Sequence, residues 1–282
     1  MVINMKKYGL LGYPLGHTMS PPIHKALFAL YHCEAKYDVF EIPPQELTEN
    51  IANLKNLSGF NITIPHKVEI MKHLDRLDEK ASLYGAVNLV KCDGEAVGYN
   101  TDVAGFTASV NQLGATLNSR VLLLGCGGVG RMMAIETALQ GGELTIAVRP
   151  NNLNLAQKVT DEIHRLKPNA SVRTVLLDHI TGSYDLTINA TPAGMYPHAD
   201  NTPISEEDIQ RTSYLFDAVY NPIETKLMKT AKQNGVITLG GMAMLVRQAV
   251  VAHQIWNHAS FKEEDIVCLI SEMERRLSRE RA

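Results

Sequence analysis

The sequence predicts an α/β protein of two domains: an N-terminal α/β domain on an open sheet, then a doubly wound parallel-sheet domain, with C-terminal helices that return to the first. Three observations predict it. At 282 residues the chain is too long for one small domain and short for three. Before residue 100, short β-rich runs alternate with helical ones and end in a hairpin signal. After residue 120, an apolar strand run enters a glycine-rich turn and a helix, and the strand–helix rhythm then repeats.

In the first region, β-rich runs fall at residues 8–11, 37–42 and 59–64, followed by a pair at 86–90 and 96–99. That pair is joined by Asp93-Gly94, a tight-turn dipeptide. Helical periodicity fills 22–30, 45–56 and 66–74. A linker helix is expected over 103–113. Val121-Leu122-Leu123-Leu124 then reads as a parallel strand covered on both faces, because it is apolar without alternation. A helix over 129–140, a strand over 144–148 and a helix over 153–166 follow. Further strands are expected at 172–176, 186–189, 215–218 and 236–238. Residues 242–256 are apolar nearly all round, so that helix should be buried. The expected boundaries are 1–102 for the first domain, 103–239 for the second and 240–282 for helices that complete the first.

Composition narrows the function. A hydrophobic share of 45% with a charged share of 20% excludes a disordered chain. A net charge of -3 with no basic stripe gives no support to a nucleic-acid or anionic-membrane partner. The mixed charges of residues 272–281 read as a solvated helix face. Cys33, Cys92, Cys126 and Cys268 form no C-x-x-C pair, and are read as reduced thiols of a cytoplasmic protein. No apolar segment after the N-terminal lysines reads as a signal peptide, and either Met1 or Met5 can serve as the start. No metal site is expected, since His24/His32 and His253/His258 are wrongly spaced for helical ligand pairs. Monomer and homodimer both stay open.

Gly125, Gly127 and Gly130 form G-x-G-x-x-G within Gly125-Cys126-Gly127-Gly128-Val129-Gly130. The pattern follows a strand and opens a helix, a context that favours a Rossmann-like dinucleotide loop over the alternative of a tight structural turn. Glycine lets a pyrophosphate approach the backbone, and the helix N-terminus offers free N–H groups. The next strand ends in Val148-Arg149-Pro150 with no Asp or Glu for the ribose hydroxyls; the Arg149 guanidinium suits a 2′-phosphate. NADP is the expected cofactor, with NAD possible.

Four polar stretches stand out in the first domain. Thr18 and Ser20 precede a helix opened by prolines, where Ser20 is either a simple cap or, with Thr18, a carboxylate receiver. Alternation puts Asn61, Thr63 and Pro65 on one face, with Lys67 at an expected helix start, where a cation opposes the dipole. Asn88 opens the hairpin, and Asn100-Thr101-Asp102 enters the linker helix, with Asp102 a possible cap. A lysine and an aspartate that meet form an acid–base pair, but spacing alone does not bring Lys67 to Asp102.

These stretches, Gly12-x-Pro14 through Ser20-Pro21, Asn61-x-Thr63-x-Pro65-x-Lys67, Gly85-Ala86-Val87-Asn88 and Asn100-Thr101-Asp102, resemble the substrate-domain motifs of the shikimate dehydrogenases. Gly125-x-Gly127-Gly128, Asn189-Ala190-Thr191-Pro192-x-Gly194-Met195, Asp217-x-Val219-Tyr220-Asn221-Pro222 and Gly241-Met242-x-Met244-Leu245-x-x-Gln248-Ala249 resemble the rest, in family order over nearly the whole chain. The resemblance implies NADPH-dependent, reversible reduction of 3-dehydroshikimate to shikimate, in a cleft between the domains. It implies that Lys67 and Asp102 are catalytic. It implies substrate contacts from Thr18, Ser20, Thr63, Asn88, Asp102, Tyr220 and Gln248. For the cofactor it implies Gly125, Gly127, Gly128, Val129, Gly130, Arg149, Thr191, Met195, Val219, Gly241 and Met244, with residues 189–195 along the nicotinamide.

The chain departs from the family pattern in places. Thr18 stands for serine and Val103 for glycine, while Val148, Pro150 and Leu153 leave Arg149 as the single phosphate-binding arginine. Quinate with NAD therefore stays open as an alternative substrate and cofactor, beside an aminoshikimate-type substrate. A non-catalytic sensor of the same fold is a rival, although a sensor is free to lose Lys67 or Asp102 and both are present. A dehydrogenase for a folate or an amino acid on the same plan is a third reading, opposed by Thr18, Ser20 and the Asn61-to-Lys67 motif.

Overall fold

In the computed structural model, residues 5–16 and 18–280 are described; residues 1–4 of the segment read for a targeting signal, His17, and Arg281 of the charged C-terminal run lie outside them. The first strand, β1 (Lys6–Gly12), leads through α1 (Ser20–Leu30), β2 (Ala35–Glu41) and α2 (Leu47–Lys55) to β3 (Gly59–Ile62). β4 (Arg76–Leu77), α3 (Glu79–Tyr84), β5 (Leu89–Asp93) and β6 (Glu95–Tyr99) follow. The sheet order is β2-β1-β3-β5-β6-β4. β1 pairs parallel to β2 and β3, whereas β5 runs antiparallel to both β3 and β6. Gly94, at φ 78°, turns the β5–β6 hairpin so tightly that Asp93 pairs with Glu95. β1 is buried from Tyr8 to its end, because a parallel strand in mid-sheet is covered on both faces. Leu11, Phe60, Ile62, Ile70, Val87 and Val90 share one core cluster.

A second sheet forms from α4 (Asp102–Leu113), β7 (Arg120–Leu124), α5 (Gly128–Leu139), β8 (Glu143–Val148), α6 (Leu153–Leu166), β9 (Val172–Leu176), β10 (Tyr184–Asn189), α7 (Glu206–Ile209), β11 (Thr212–Asp217), α8 (Lys226–Gln233) and β12 (Ile237–Gly240). All its strands are parallel, in the order β12-β11-β10-β7-β8-β9. The chain thus winds outward from β7 in one direction, then returns to start again at β10, the doubly wound plan with its switch point between those two strands.

α9 (Met242–Asn257) and α10 (Glu263–Arg279) close the chain. Two units emerge: Met1–Gly105 with Val246–Met273, and Phe106–Leu245 with Glu274–Ala282. Within the first, Trp256 of α9 packs in a tilted arrangement against Tyr8 at 4.6 Å between ring centroids, and its indole N–H donates to the Val90 carbonyl at 2.9 Å. That bond satisfies the polar edge of a buried indole. Among the described residues no helix is long and apolar enough to cross a membrane.

Several local expectations need correction. The helix expected over 66–74 is a turn followed by a short 3-10 helix, Glu69–His73. The buried His66 ring is tied to the Ile42 carbonyl at 2.6 Å, which anchors the chain in that turn. Lys67 therefore does not sit at an α-helix N-terminus, and the dipole argument for it fails. The strand expected over 86–90 begins only at Leu89. The run expected as one helix over 45–56 starts as a 3-10 turn, Pro44–Glu46, before α2. β4, α3 and α7 were not expected, being too short for periodicity to register.

Candidate active site

Strand direction explains how distant motifs meet. β1 and β3 end at the same edge of the first sheet, where antiparallel β5 begins and β6 ends, as the pairs Leu11↔Ile62, Asn61↔Leu89 and Leu89↔Tyr99 show. The loops after Gly12 and Ile62, the residues before Leu89 and those after Tyr99 therefore converge there. Thr63 donates its N–H to the Leu11 carbonyl and Tyr13 donates to Ile64, locking the first two loops side by side. A Cβ on Gly12 would lie 2.5 Å from the Thr63 methyl, so the close approach requires glycine.

At this edge Lys67 Nζ donates to Asp102 Oδ2 at 2.7 Å; the side chains are 24% and 16% exposed, so the pair faces solvent without being flooded by it. The backbone carbonyl of Lys67 accepts from Val87 at 2.8 Å, which holds the turn against the segment before β5. Asn88 is buried, and its amide donates to Asp102 Oδ1 and to Thr101 Oγ1, both at 2.9 Å. Its carbonyl oxygen accepts the Thr101 N–H at 2.7 Å. Gln248 on α9 accepts from the Thr101 hydroxyl at 3.3 Å and from Asn88 at 3.4 Å. Asp102 donates its own N–H to Asn100 Oδ1 at 3.2 Å, so it opens α4 as its first residue while Asn100 caps from outside. Thr18 and Ser20 are half-buried, and Ser20 donates its N–H to Thr18 Oγ1 at 3.3 Å. Ser20 is the first residue of α1, not its cap; the cap position is Met19, which has no side-chain acceptor.

In the second unit the segments after β7, β8, β10, β11 and β12 all leave the carboxyl edge of the parallel sheet, where open α/β sheets bind ligands. Gly125 has φ 88°, and a Cβ there would meet the Thr191 methyl at 2.7 Å. At Gly130 it would meet the Gly125 carbonyl at 2.6 Å, so this glycine lets α5 pack on the strand end. At Gly127 and Gly128 a Cβ would meet nothing within 4 Å. That open space lies at the start of α5, which has no side-chain cap and no acidic residue in its first turn. Its first N–H groups are thus left for an anion, and the residues fit a dinucleotide pyrophosphate. Val129 is exposed in the same turn, and exposed Arg149 directly follows β8. Thr191 and Met195 follow β10, Val219 follows β11, and Gly241 and Met244 follow β12. Tyr220 lies in this unit, after Val219.

Residues 10–90 match the family described as shikimate dehydrogenase substrate binding domain. A shikimate dehydrogenase (NADP(+)) of Methanococcus maripaludis is 38% identical over 257 residues, covering 89% of this chain and 91% of the relative. The chain belongs to the shikimate dehydrogenase family. Among solved structures, a chorismate mutase/shikimate 5-dehydrogenase fusion protein from Clostridium acetobutylicum superposes with a TM-score of 0.88 at 32% identity, over 98% of this chain and 100% of that one. Shikimate 5-dehydrogenase from Thermus thermophilus, solved with NADP(H) and shikimate, gives 0.85 at 26% identity, over 95% and 100%.

For a shikimate dehydrogenase family member, the first unit joins Lys67, Asn88, Asp102 and Gln248 in one hydrogen-bonded cluster, with Thr63 beside the loop that carries Thr18 and Ser20. Sequence reasoning overlooked Thr101 as a site residue. It is 1% exposed and bonds both Asn88 and Gln248; its place between Asn100 and Asp102 was the available signal. Asn61 was read only as part of a motif, yet it accepts from the buried Tyr37 hydroxyl at 2.9 Å beneath the cluster. Among the described residues no group of three or more His, Cys, Asp or Glu is arranged to hold a metal ion.

Proposed function

We propose that this chain catalyses the reversible, NADP-dependent reduction of 3-dehydroshikimate to shikimate, a step toward the aromatic amino acids. The observation that carries the reading is the 2.7 Å Lys67–Asp102 pair among Asn88, Thr101 and Gln248. The glycine loop, Arg149, Thr191, Met195, Val219, Gly241 and Met244 would hold NADPH, which would supply the hydride for the ring ketone carbon. Lys67 gives a proton to the ketone oxygen as it becomes an alkoxide, and in the reverse direction takes it back. Asp102 orients the ammonium and, with Asn88 behind it, accepts from ring hydroxyls. Thr18 and Ser20 receive the carboxylate, and Thr63 and Gln248 fix the remaining hydroxyls. Four free cysteines support a reducing, cytoplasmic setting.

Initial rates of oxidation of shikimate and quinate, each with NADP and NAD, test this. Strong preference for shikimate with NADP is the expected result. The second reading, a quinate/shikimate enzyme using NAD, is favoured by Arg149 standing alone among Val148, Pro150 and Leu153, and by the extra methyl of Thr18. Equal or faster rates with quinate or NAD would establish it, and no turnover of any of these would revive the sensor and the dehydrogenase for a folate or an amino acid.

A further inference from the structure

The second unit buries a carboxylate that the mechanism does not use. Asp217, the last residue of β11, is 0% exposed and, among the described residues, bonds to no cation. Its Oδ1 accepts from the Asn189 amide at 2.9 Å and from the Val219 N–H at 3.0 Å; its Oδ2 accepts from the Thr225 hydroxyl at 2.7 Å. Burial pushes its carboxyl up to about 6 despite these donors. An unpaired buried charge is costly, so stability alone does not explain an anion here.

The three donors come from two segments: Asn189 ends β10, while Val219 and Thr225 lie at the start and end of the connection from β11 to α8. Asn189 Oδ1 accepts the Thr191 N–H at 3.0 Å and the Thr191 hydroxyl at 2.7 Å, and Thr191 in turn accepts from Ala193 at 3.2 Å. The Val219 carbonyl accepts the Gly241 N–H at 3.1 Å, while a Cβ on Gly241 would sit 2.2 Å from the Ala218 carbonyl oxygen. Thr225 caps α8 by accepting from Met228 at 3.2 Å, and a Cβ on Gly194 would lie 3.3 Å from its Cβ. One carboxylate thus bonds directly to the segments after β10 and β11, and reaches the segment after β12 through the Val219–Gly241 bond; these carry Thr191, Met195, Val219 and Gly241. Only an anion accepts from all three donors at once; an amide presents a single acceptor oxygen and turns an N–H toward the Thr225 hydroxyl.

We propose that Asp217 is a positioning residue for the cofactor, holding the loops after β10, β11 and β12 in the arrangement that receives NADP(H); this rests on the proposed function above. Asp217→Asn tests it by fluorescence titration with NADPH, thermal unfolding of the cofactor-free chain, and steady-state kinetics. NADPH Kd and KM for NADP should rise about tenfold or more, the scale of losing one charge-assisted hydrogen bond, with KM for shikimate unchanged and Tm no lower than the parent's. An unchanged NADPH Kd in the folded variant overturns the proposal whatever its Tm. Should Asp217→Asn fail to fold, Thr225→Val removes only the Oδ2 donor. Weakened NADPH binding restored by Thr225→Ser supports the proposal, and parental affinity in both overturns it. A parent chain that binds no NADPH instead overturns the cofactor assignment itself.

Discussion

Lys67→Ala separates chemistry from binding. The Lys67 side chain is 24% exposed, and its partner Asp102, 16% exposed, keeps the Asn88 amide donor at 2.9 Å after truncation. Truncation leaves a largely buried Asp102 with its Asn88 donor alone, so Tm should fall by more than the about 0–1 kcal/mol of an exposed pair implies, and kcat is read on the folded variant. Loss of a positioned general acid costs about 10²–10⁴ in kcat, or roughly 2.7–5.5 kcal/mol at 1.36 per decade. Lys67→Arg refines the test, since it keeps a cation yet releases no proton at working pH. Both variants should therefore lose kcat, with Lys67→Arg retaining KM better. The assay is initial-rate oxidation of shikimate with saturating NADP, alongside thermal unfolding of each variant. A Lys67→Ala enzyme with parental kcat and only a raised KM would make Lys67 a binding residue and refute the acid–base assignment.

Arg149→Ala should raise KM for NADP about tenfold to a hundredfold and leave NAD untouched, the scale of a lost guanidinium–phosphate bond; equal effects on both cofactors would remove the 2′-phosphate role. Gly130→Ala drives a Cβ to 2.6 Å from the Gly125 carbonyl and should cost about 1–3 kcal/mol, whereas Gly127→Ala enters open space and should leave Tm intact while weakening NADPH binding; identical behaviour of the two would contradict the packing reading. His24 and His253 meet at 2.9 Å in the first unit; burial lowers His253 to about 3, and burial, then His253, holds His24 well below its ordinary value. Both are depressed on folding, so the unfolded chain binds more protons below about 6.5: stability is full above that pH and falls toward about 3, by up to about 1.4 kcal/mol per pH unit for one histidine, and a Tm-against-pH slope unaltered by His253→Gln would refute this.

Legibility in the sequence follows the range of the interaction. The glycine loop was readable because its three glycines lie within six residues: Gly125 and Gly130 answer steric demands of the strand–turn–helix unit, while Gly127 leaves open space at the helix start. The doubly wound sheet was readable because a parallel strand covered on both faces must be apolar where it is covered, as β7 is from Val121 to Leu124. The turn around His66 was not, because a buried histidine bonded to a carbonyl 24 residues away overrides a helical pattern that is strong only locally. The meeting of Lys67 with Asp102 is of the same kind. Their 35-residue separation says nothing until β3, β5 and β6 are in register, and that register brings the end of one strand beside the beginning of the next. The clearest illegible case is Asp217. In sequence it is one acid among thirty, set inside a motif whose residues toward the cofactor draw attention first. Its distinction is wholly three-dimensional: zero exposure, three donors and, among the described residues, no cation. A residue that acts by holding loops carries no spacing signature, because the donors it gathers come from wherever the fold delivers them.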